Sequence, residues 1–350
     1  NLRCIHCYYT ARSEPDPDEL TTDEAEALID DLADFGVPVL LFSGGEPLMR
    51  PDLCHLGAYA VDRGLRTVIS TNGTLIDRAQ ARRIDDAGFS YVGISLDGIG
   101  ETNDRFRGVT GAYDAAMEAF HHCQEAGVRT GLRLTLNKHN VADLADILDL
   151  LRTERIPRAC FYHLVYTGRG EHLRPDDLTH QQTRDALDMI FDRAVTFHNR
   201  GLDLEILTVD NHTDGPYLLQ RVKREQPERY EQVRSLLKAN GGNASGIAIA
   251  AVDHLGGVHA DQFWQHYTFG NVRERSFGEI WTDTSDPVMA GLKDRKPLLQ
   301  GRCAQCRYLD VCNGNFRVRA EAVHGDIWAP DPACYLTDDE IAKPPEETPS

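Results

Sequence analysis

The chain has 350 residues, enough for one large hydrophobic core plus a smaller module. It is 41% hydrophobic and 26% charged, and no run approaches the ~18 consecutive apolar residues of a membrane span, so no membrane partner is expected. A net charge of −18, from 55 acidic against 37 basic residues, excludes the basic footprint with which proteins grip nucleic acid.

In chain order, Cys4-Ile5-His6-Cys7 comes first, two thiols on one tight loop. Thr21-Thr22-Asp23-Glu24 reads as a capping box; Leu28, Ile29 and Leu32 give the helix one apolar face, and Gly36 closes it. Val37 to Phe42 reads as a fully buried strand. Further strands are predicted at Arg66–Thr71, Tyr91–Leu96, Thr130–Leu136 and Ala159–Val165, with helical pattern between them. Repeated βα units imply a parallel sheet closed or partly closed into a barrel, with its chemistry on the loops after the strands. Gly44-Gly45-Glu46-Pro47, Asn72-Gly73 and Asp97-Gly98 occupy three such loops. Beyond Gly170 the chain is mainly helical to about Gln232, with one strand at Leu204–Val209. After a break at Gly241-Gly242-Asn243, a hairpin is expected over Ile247–Val252, Gly256-Gly257 and Val258 onward. The acidic, Pro-bearing end from Pro344 to Ser350 is expected to be disordered. Two units follow, one over 1–240 and one over 241–350.

Nine cysteines are present, and six fall into spaced groups. In a long, core-rich chain such groups favour metal or cluster ligation in a reducing compartment over disulfides, so a cytoplasmic location is expected. Cys4 and Cys7, taken alone, fit zinc, a redox dithiol or chance. Cys303-Ala304-Gln305-Cys306, Cys312 and Cys334 could close a tetrahedral shell, for which zinc is the plain reading. Cys54, Cys123 and Cys160 are isolated, and the latter two sit in apolar patterns as packing residues.

Cys4-Ile5-His6-Cys7, followed past a strand by Gly44-Gly45-Glu46-Pro47, resembles the radical S-adenosylmethionine (SAM) enzymes, whose loop reads C-x-x-x-C-x-x-C. The resemblance implies an α/β fold, a partial (β/α)6 barrel, with the family's first cysteine immediately before Asn1 and its first strand missing as well. It implies a [4Fe–4S] cluster held by that cysteine, Cys4 and Cys7, leaving one iron open to chelate SAM. Reduction would then yield a 5′-deoxyadenosyl radical that abstracts hydrogen from substrate. Gly44, Gly45, Glu46 and Pro47 would line the methionyl amine of SAM, with Glu46 as an acceptor for the ammonium. His6 would lie near the adenine, and Ser95 and Asp97 near the ribose. Gly270-Asn271-Val272 and Ile280-Trp281 resemble the auxiliary-cluster domain, called SPASM or twitch, a small α+β unit. Cys303, Cys306, Cys312 and Cys334 are then expected to hold a fully ligated auxiliary [4Fe–4S] cluster. Two-cluster versions carry a cysteine where this chain has Asp261, which argues against a second auxiliary cluster.

Segments 161–170 and 259–264, and Cys312-Asn313-Gly314-Asn315-Phe316-Arg317, resemble the radical SAM enzymes of haem d1 formation and alternative haem synthesis. This implies an iron tetrapyrrole substrate, 12,18-didecarboxysirohaem, radical removal of two propionate side chains, and an electron donor as partner. Substrate-contact candidates are His163, as an axial iron ligand, with Arg169, Trp264 and His266. Competing readings are a related haem-pathway enzyme, a peptide-modifying one, and a non-catalytic iron–sulphur or zinc protein.

Overall fold

A computed structural model describes residues 1–9 and 16–342, so the acidic end lies outside the described residues. Six strands form one parallel sheet in chain order: β1 (Val39–Phe42), β2 (Arg66–Thr71), β3 (Tyr91–Ser95), β4 (Thr130–Leu136), β5 (Arg158–His163) and β6 (Glu205–Val209). The connections carry α2 (Leu53–Asp62), α3 (Arg78–Asp86), α4 (Glu101–Arg107), α5 (Ala112–Ala126), α6 (Leu144–Thr153) and α7 (His180–Asn199), while α1 (Thr22–Phe35) precedes β1. Parallel neighbours joined through helices cross over in one hand, which curls the sheet and puts the helices outside. The start of α1 is fixed as its sequence predicts: Thr21 Oγ1 accepts from Glu24 N, and the Glu24 carboxylate takes Thr21 N at 2.8 Å. Gly36, at φ 88, ends it.

Alternation divides the strands into two faces. Ile69, Val92, Ile94, Leu132, Leu134, Leu136, Ala159 and Phe161 face the helices, each 2% exposed or less, and form the main core. The other face turns into the barrel lumen, where Ser95 pairs in register with Arg133, and Arg133 with Cys160. Cys123 and Cys160 are buried packing residues, as expected, and burial pushes the Cys123 thiol up to about 12.

The first strand departs from expectation. Val39 and Leu41 are 46% and 45% exposed, not buried, because β1 is the edge of the sheet. Its lumen-side residues border open space instead of a partner strand.

The later part of the chain adds α8 (Asp214–Glu225), α9 (Tyr230–Asn240), and an antiparallel pair, β7 (Ala251–Val252) with β8 (Val258–His259). The hairpin is shorter than predicted, because the amides of Ile247, Ala248 and Ile249 all donate to the Ala244 carbonyl and coil that segment into a turn. Arg319, fully buried in the helix Arg317–His324, joins this part to the barrel. It donates to both Asp331 oxygens at 2.8 and 3.0 Å, to the Leu164 carbonyl at 2.9 Å and to the Asp210 carbonyl at 3.0 Å. Leu164 and Asp210 lie just past β5 and β6. Among the described residues no helix is long and apolar enough to cross a membrane.

Candidate active site

The C-terminal ends of the strands surround a cavity of about 2370 Å³, several times the ~300–1,000 Å³ that encloses one drug-sized ligand. The cysteine loop lies at its mouth. Arg3 N donates to the Arg107 carbonyl and Ile5 N to the Phe106 carbonyl, both at 3.1 Å. From the other side, Arg169 donates its amide to the Cys7 carbonyl and its Nε to the Cys4 carbonyl, each at 2.8 Å. Gly168, at φ 56, permits this approach, since a Cβ there would stand 2.5 Å from the Tyr8 carbonyl. Arg169, expected at the substrate, lines the cavity and also braces the loop.

Around the loop the structure gathers groups of several kinds. Arg107 Nη1 approaches Cys4 Sγ at 3.6 Å, and Arg107 pairs with Asp97, which is 1% exposed. Burial opposes the guanidinium charge, but Asp97, Cys4 and Cys7 outweigh it and raise the Arg107 pKa. Sequence reasoning missed Arg107 because a charged residue at the end of a short helix carries no motif. His6 rests on Phe106 with ring centres 4.7 Å apart, and its Nε2 stands 3.4 Å from Asp97. Burial lowers the His6 pKa to about 4, so the ring is neutral, and its Nδ1 is buried without a hydrogen-bond partner.

The predicted SAM contacts fare unevenly. Gly44 sits at φ 114 with nothing within 4 Å of where a Cβ would be, so bare backbone borders the cavity there. Such a cradle fits a closely approaching ligand. Gly45 and half-buried Ser95 line the same cavity, and Pro47 opens a short 3-10 turn beside it. Glu46 is buried and already accepts from Thr71 Oγ1 at 2.7 Å, Asn72 N at 2.9 Å and Leu48 N at 3.2 Å. One oxygen takes two of these donors and the other takes one, so at most a single further bond to an ammonium remains. Asp97 accepts from Thr135 N at 2.8 Å and faces Arg107 and His6, so its carboxylate is engaged by protein and positions those two groups.

Of the other substrate-contact candidates, His163 and His266 line the cavity and Trp264 does not. His163 shares the helix-facing side of β5 with Ala159 and Phe161, and its Nε2 lies 3.0 Å from Asp214 Oδ2 on α8. Only Nδ1 remains for an axial bond. Trp264 is 1% exposed and packs with Ala260, Phe316 and Val318 as core. His266 lies at the cavity rim, 2.9 Å from Glu321. The lumen residue that adjoins His163 is Tyr162, with the Arg133 guanidinium 4.6 Å above its ring. Asp210, just past β6, also lines the cavity.

The second cysteine group lies under α8 and α9. Cys306 N donates to the Cys303 carbonyl, and the Cys312 carbonyl accepts from Asn243 N, both at 3.2 Å. Burial, then the neighbouring thiols, raises the Cys312 pKa, and the thiols of Cys306 and Cys334 are raised likewise. The four sulphurs thus share one neighbourhood, yet among the described residues no three His, Cys, Asp or Glu converge on a single ion. Two buried guanidiniums adjoin them. Arg295 bonds only to Asn243 and the carbonyls of Leu292 and Ser245, and Arg317 only to the carbonyls of Gly314, Ile327 and Ala329. Burial lowers both pKa values, Arg295 to about 10, while Asp261 and then Cys312 act to raise Arg295, and Asp331, Cys303 and Cys312 act to raise Arg317. Buried cations that form no ion pair among the described residues, beside four thiols, fit an anionic iron–sulphur centre.

Residues 1–151 match the family model of the radical SAM superfamily. The chain is 60% identical to Fe-coproporphyrin III synthase of Methanosarcina barkeri, over 97% of its own length and 86% of the relative's. It is 44% identical to pre-heme d1 synthase of Dinoroseobacter shibae, over 96% and 84%. Among solved structures, Streptococcus suis SuiB bound to its precursor peptide SuiA superposes with a TM-score of 0.76 at 18% identity, over 96% of this chain and 73% of that one. AdoMet-bound anSMEcpe gives 0.72 at 17%, over 97% and 92%. At such identities the structures establish a shared fold alone.

Proposed function

The chain belongs to the radical SAM superfamily of enzymes, and from that premise we propose that it trims side chains from an iron tetrapyrrole of haem formation to give an iron coproporphyrin. The carrying observation is the 60% identity to Fe-coproporphyrin III synthase across nearly the whole of both chains. A cavity far larger than one small ligand, opening beside the cysteine loop, is consistent with a cofactor and a macrocycle held together. Removal of propionates from 12,18-didecarboxysirohaem is the second reading, favoured by the 44% identity to pre-heme d1 synthase.

Cys4 and Cys7 would be ligands of the first [4Fe–4S] cluster, and Gly44, Gly45, Glu46, Pro47, His6 and Ser95 would border SAM. Cys303, Cys306, Cys312 and Cys334 would hold the auxiliary cluster in a unit beginning near residue 241. When bound, cluster and SAM supply a hydrogen-abstracting adenosyl radical. The chain's own residues do the rest. Arg107 donates toward Cys4 Sγ, and Asp97 holds Arg107 in place. Neutral His6 presents a flat, uncharged ring. Arg169 and Gly168 fix the loop against the end of β5.

Anaerobic incubation with SAM, reductant and 12,18-didecarboxysirohaem, followed by mass analysis, tests this reading. Conversion to Fe-coproporphyrin III by loss of acetate side chains is expected. Loss of two propionates instead would establish the second reading, and SAM cleavage with every tetrapyrrole unchanged would refute the substrate class.

A further inference from the structure

We propose that Arg133 and Asp210 form a carboxyl-binding subsite in the barrel lumen, which grips one carboxylate side chain of the substrate. The inference rests on the tetrapyrrole reading and says how such a polyanion would be held.

Arg133 stands midway along β4, on the lumen face, and borders the cavity. Its guanidinium lies over the Tyr162 ring at 4.6 Å, and among the described residues it has neither a hydrogen-bond acceptor nor an ion-pair partner. The lumen is hollowed around it. A Cβ on Gly93 would stand 2.6 Å from Arg133 Cδ, so glycine there makes room for the arginine stem. Gly131 does the same for Tyr91, whose hydroxyl is itself buried without a partner. Glycine within a strand weakens the strand, so two of them side by side need a reason, and space for a ligand-facing cation supplies one. A half-buried guanidinium with no acceptor or ion-pair partner among the described residues is open to an anionic ligand in the cavity.

Asp210 provides the second half. It follows β6 at φ 67, a left-handed conformation that Asp tolerates better than most residues. It is 7% exposed, and no hydrogen bond or ion pair reaches its carboxylate among the described residues. Burial raises its pKa to about 7, with Asp261 acting the same way and Arg319, Arg133 and His163 opposing. Tyr8 and Tyr162 also lie within its electrostatic reach. Near neutrality Asp210 can therefore carry a proton. Arg133 and Asp210 both border the cavity and feel each other's field yet form no ion pair, so both are open to a group bound in the cavity. A substrate carboxylate there would accept two parallel N–H bonds from the planar guanidinium and one O–H bond from protonated Asp210. A lone Arg133 would serve any anion. The adjacent neutral acid selects an acceptor that tolerates a shared proton.

The test uses cluster-loaded enzyme under anaerobic conditions, with Fe-coproporphyrin III and its methyl ester as probes, titrated by absorbance. Arg133→Gln should weaken Fe-coproporphyrin III at least tenfold, leave the ester unchanged and leave SAM affinity unchanged. Arg133→Lys, which keeps the charge but loses the fork, should fall between. Wild-type affinity should decline as pH rises through about 7, and Asp210→Asn should flatten that decline. Equal loss for acid and ester, or loss of SAM affinity in Arg133→Gln, would overturn the subsite while leaving the tetrapyrrole reading intact. Failure of the wild-type enzyme to bind either probe would remove both.

Discussion

Asp210→Asn tests the electrostatic description of the lumen without any cofactor or substrate. The ordinary Asp carboxyl titrates near 3.8, whereas burial raises that of Asp210 to about 7. Between these values the folded chain keeps a proton that the unfolded chain has released. Stability therefore falls as pH rises through the window, and the full penalty is reached above 7. At ~1.4 kcal/mol per unit, a shift of roughly three units makes this group worth about 4 kcal/mol of lost stability at pH 8. By pH 5 only about 1.6 kcal/mol of it has accrued. Asparagine cannot ionise, so the variant should gain on wild type by roughly 3 kcal/mol between pH 5 and pH 8. Other carboxyls, including the raised Asp261, titrate in both proteins and cancel to first order. Urea denaturation at the two pH values, followed by circular dichroism, reads the difference. A gap between variant and wild type that stays constant from pH 5 to pH 8 would refute the claim that Asp210 is buried and unpaired.

Other residues make separate demands. Arg319→Met should lower stability by ~3–5 kcal/mol in denaturant titration, because it strands the buried Asp331 charge and two barrel carbonyls. Gly168→Ala should displace the cysteine loop, since the added methyl meets the Tyr8 carbonyl, and reconstituted protein should lose iron and sulphide from the first cluster while retaining the auxiliary one. Cys312→Ser should show the reverse: about half the iron lost, with SAM binding by equilibrium dialysis unaffected. His163→Ala should leave the Soret band of a bound tetrapyrrole unshifted, because the ring lies on the helix-facing side of β5 and is held there by Asp214.

Much of the fold could be read from local pattern. The strands at Arg66–Thr71 and Thr130–Leu136 match their apolar runs end for end, and α1 has the cap and the glycine stop its sequence announces. Such features depend on neighbours in the chain. What depends on distant neighbours was harder. Val39 and Leu41 look like a buried run, but burial requires a partner on both sides, and an edge strand has one. His163 could have been assigned correctly by parity: it is two residues from Phe161 and four from Ala159, both core-facing, which puts it with the helices. Trp264 reads as a substrate contact in the sequence because aromatic clusters also occur around ligands. Arg107, Arg133 and Asp210 gave no signal, since single charges in a chain with 55 acidic and 37 basic residues are unremarkable until three-dimensional structure shows what surrounds them. Gly93 and Gly131 were the available hint, because paired glycines inside strands ask what fills the space beside them.

Arg319 reaches the barrel through the main-chain oxygens of Leu164 and Asp210, and touches neither side chain. Every amino acid provides such an oxygen. The join between the two halves of the molecule therefore places few demands on what projects into the lumen from position 210, provided the backbone keeps its turn. Ligand preference at that spot is free to drift across related sequences while the architecture stays bolted, which separates the evolution of selectivity from that of assembly.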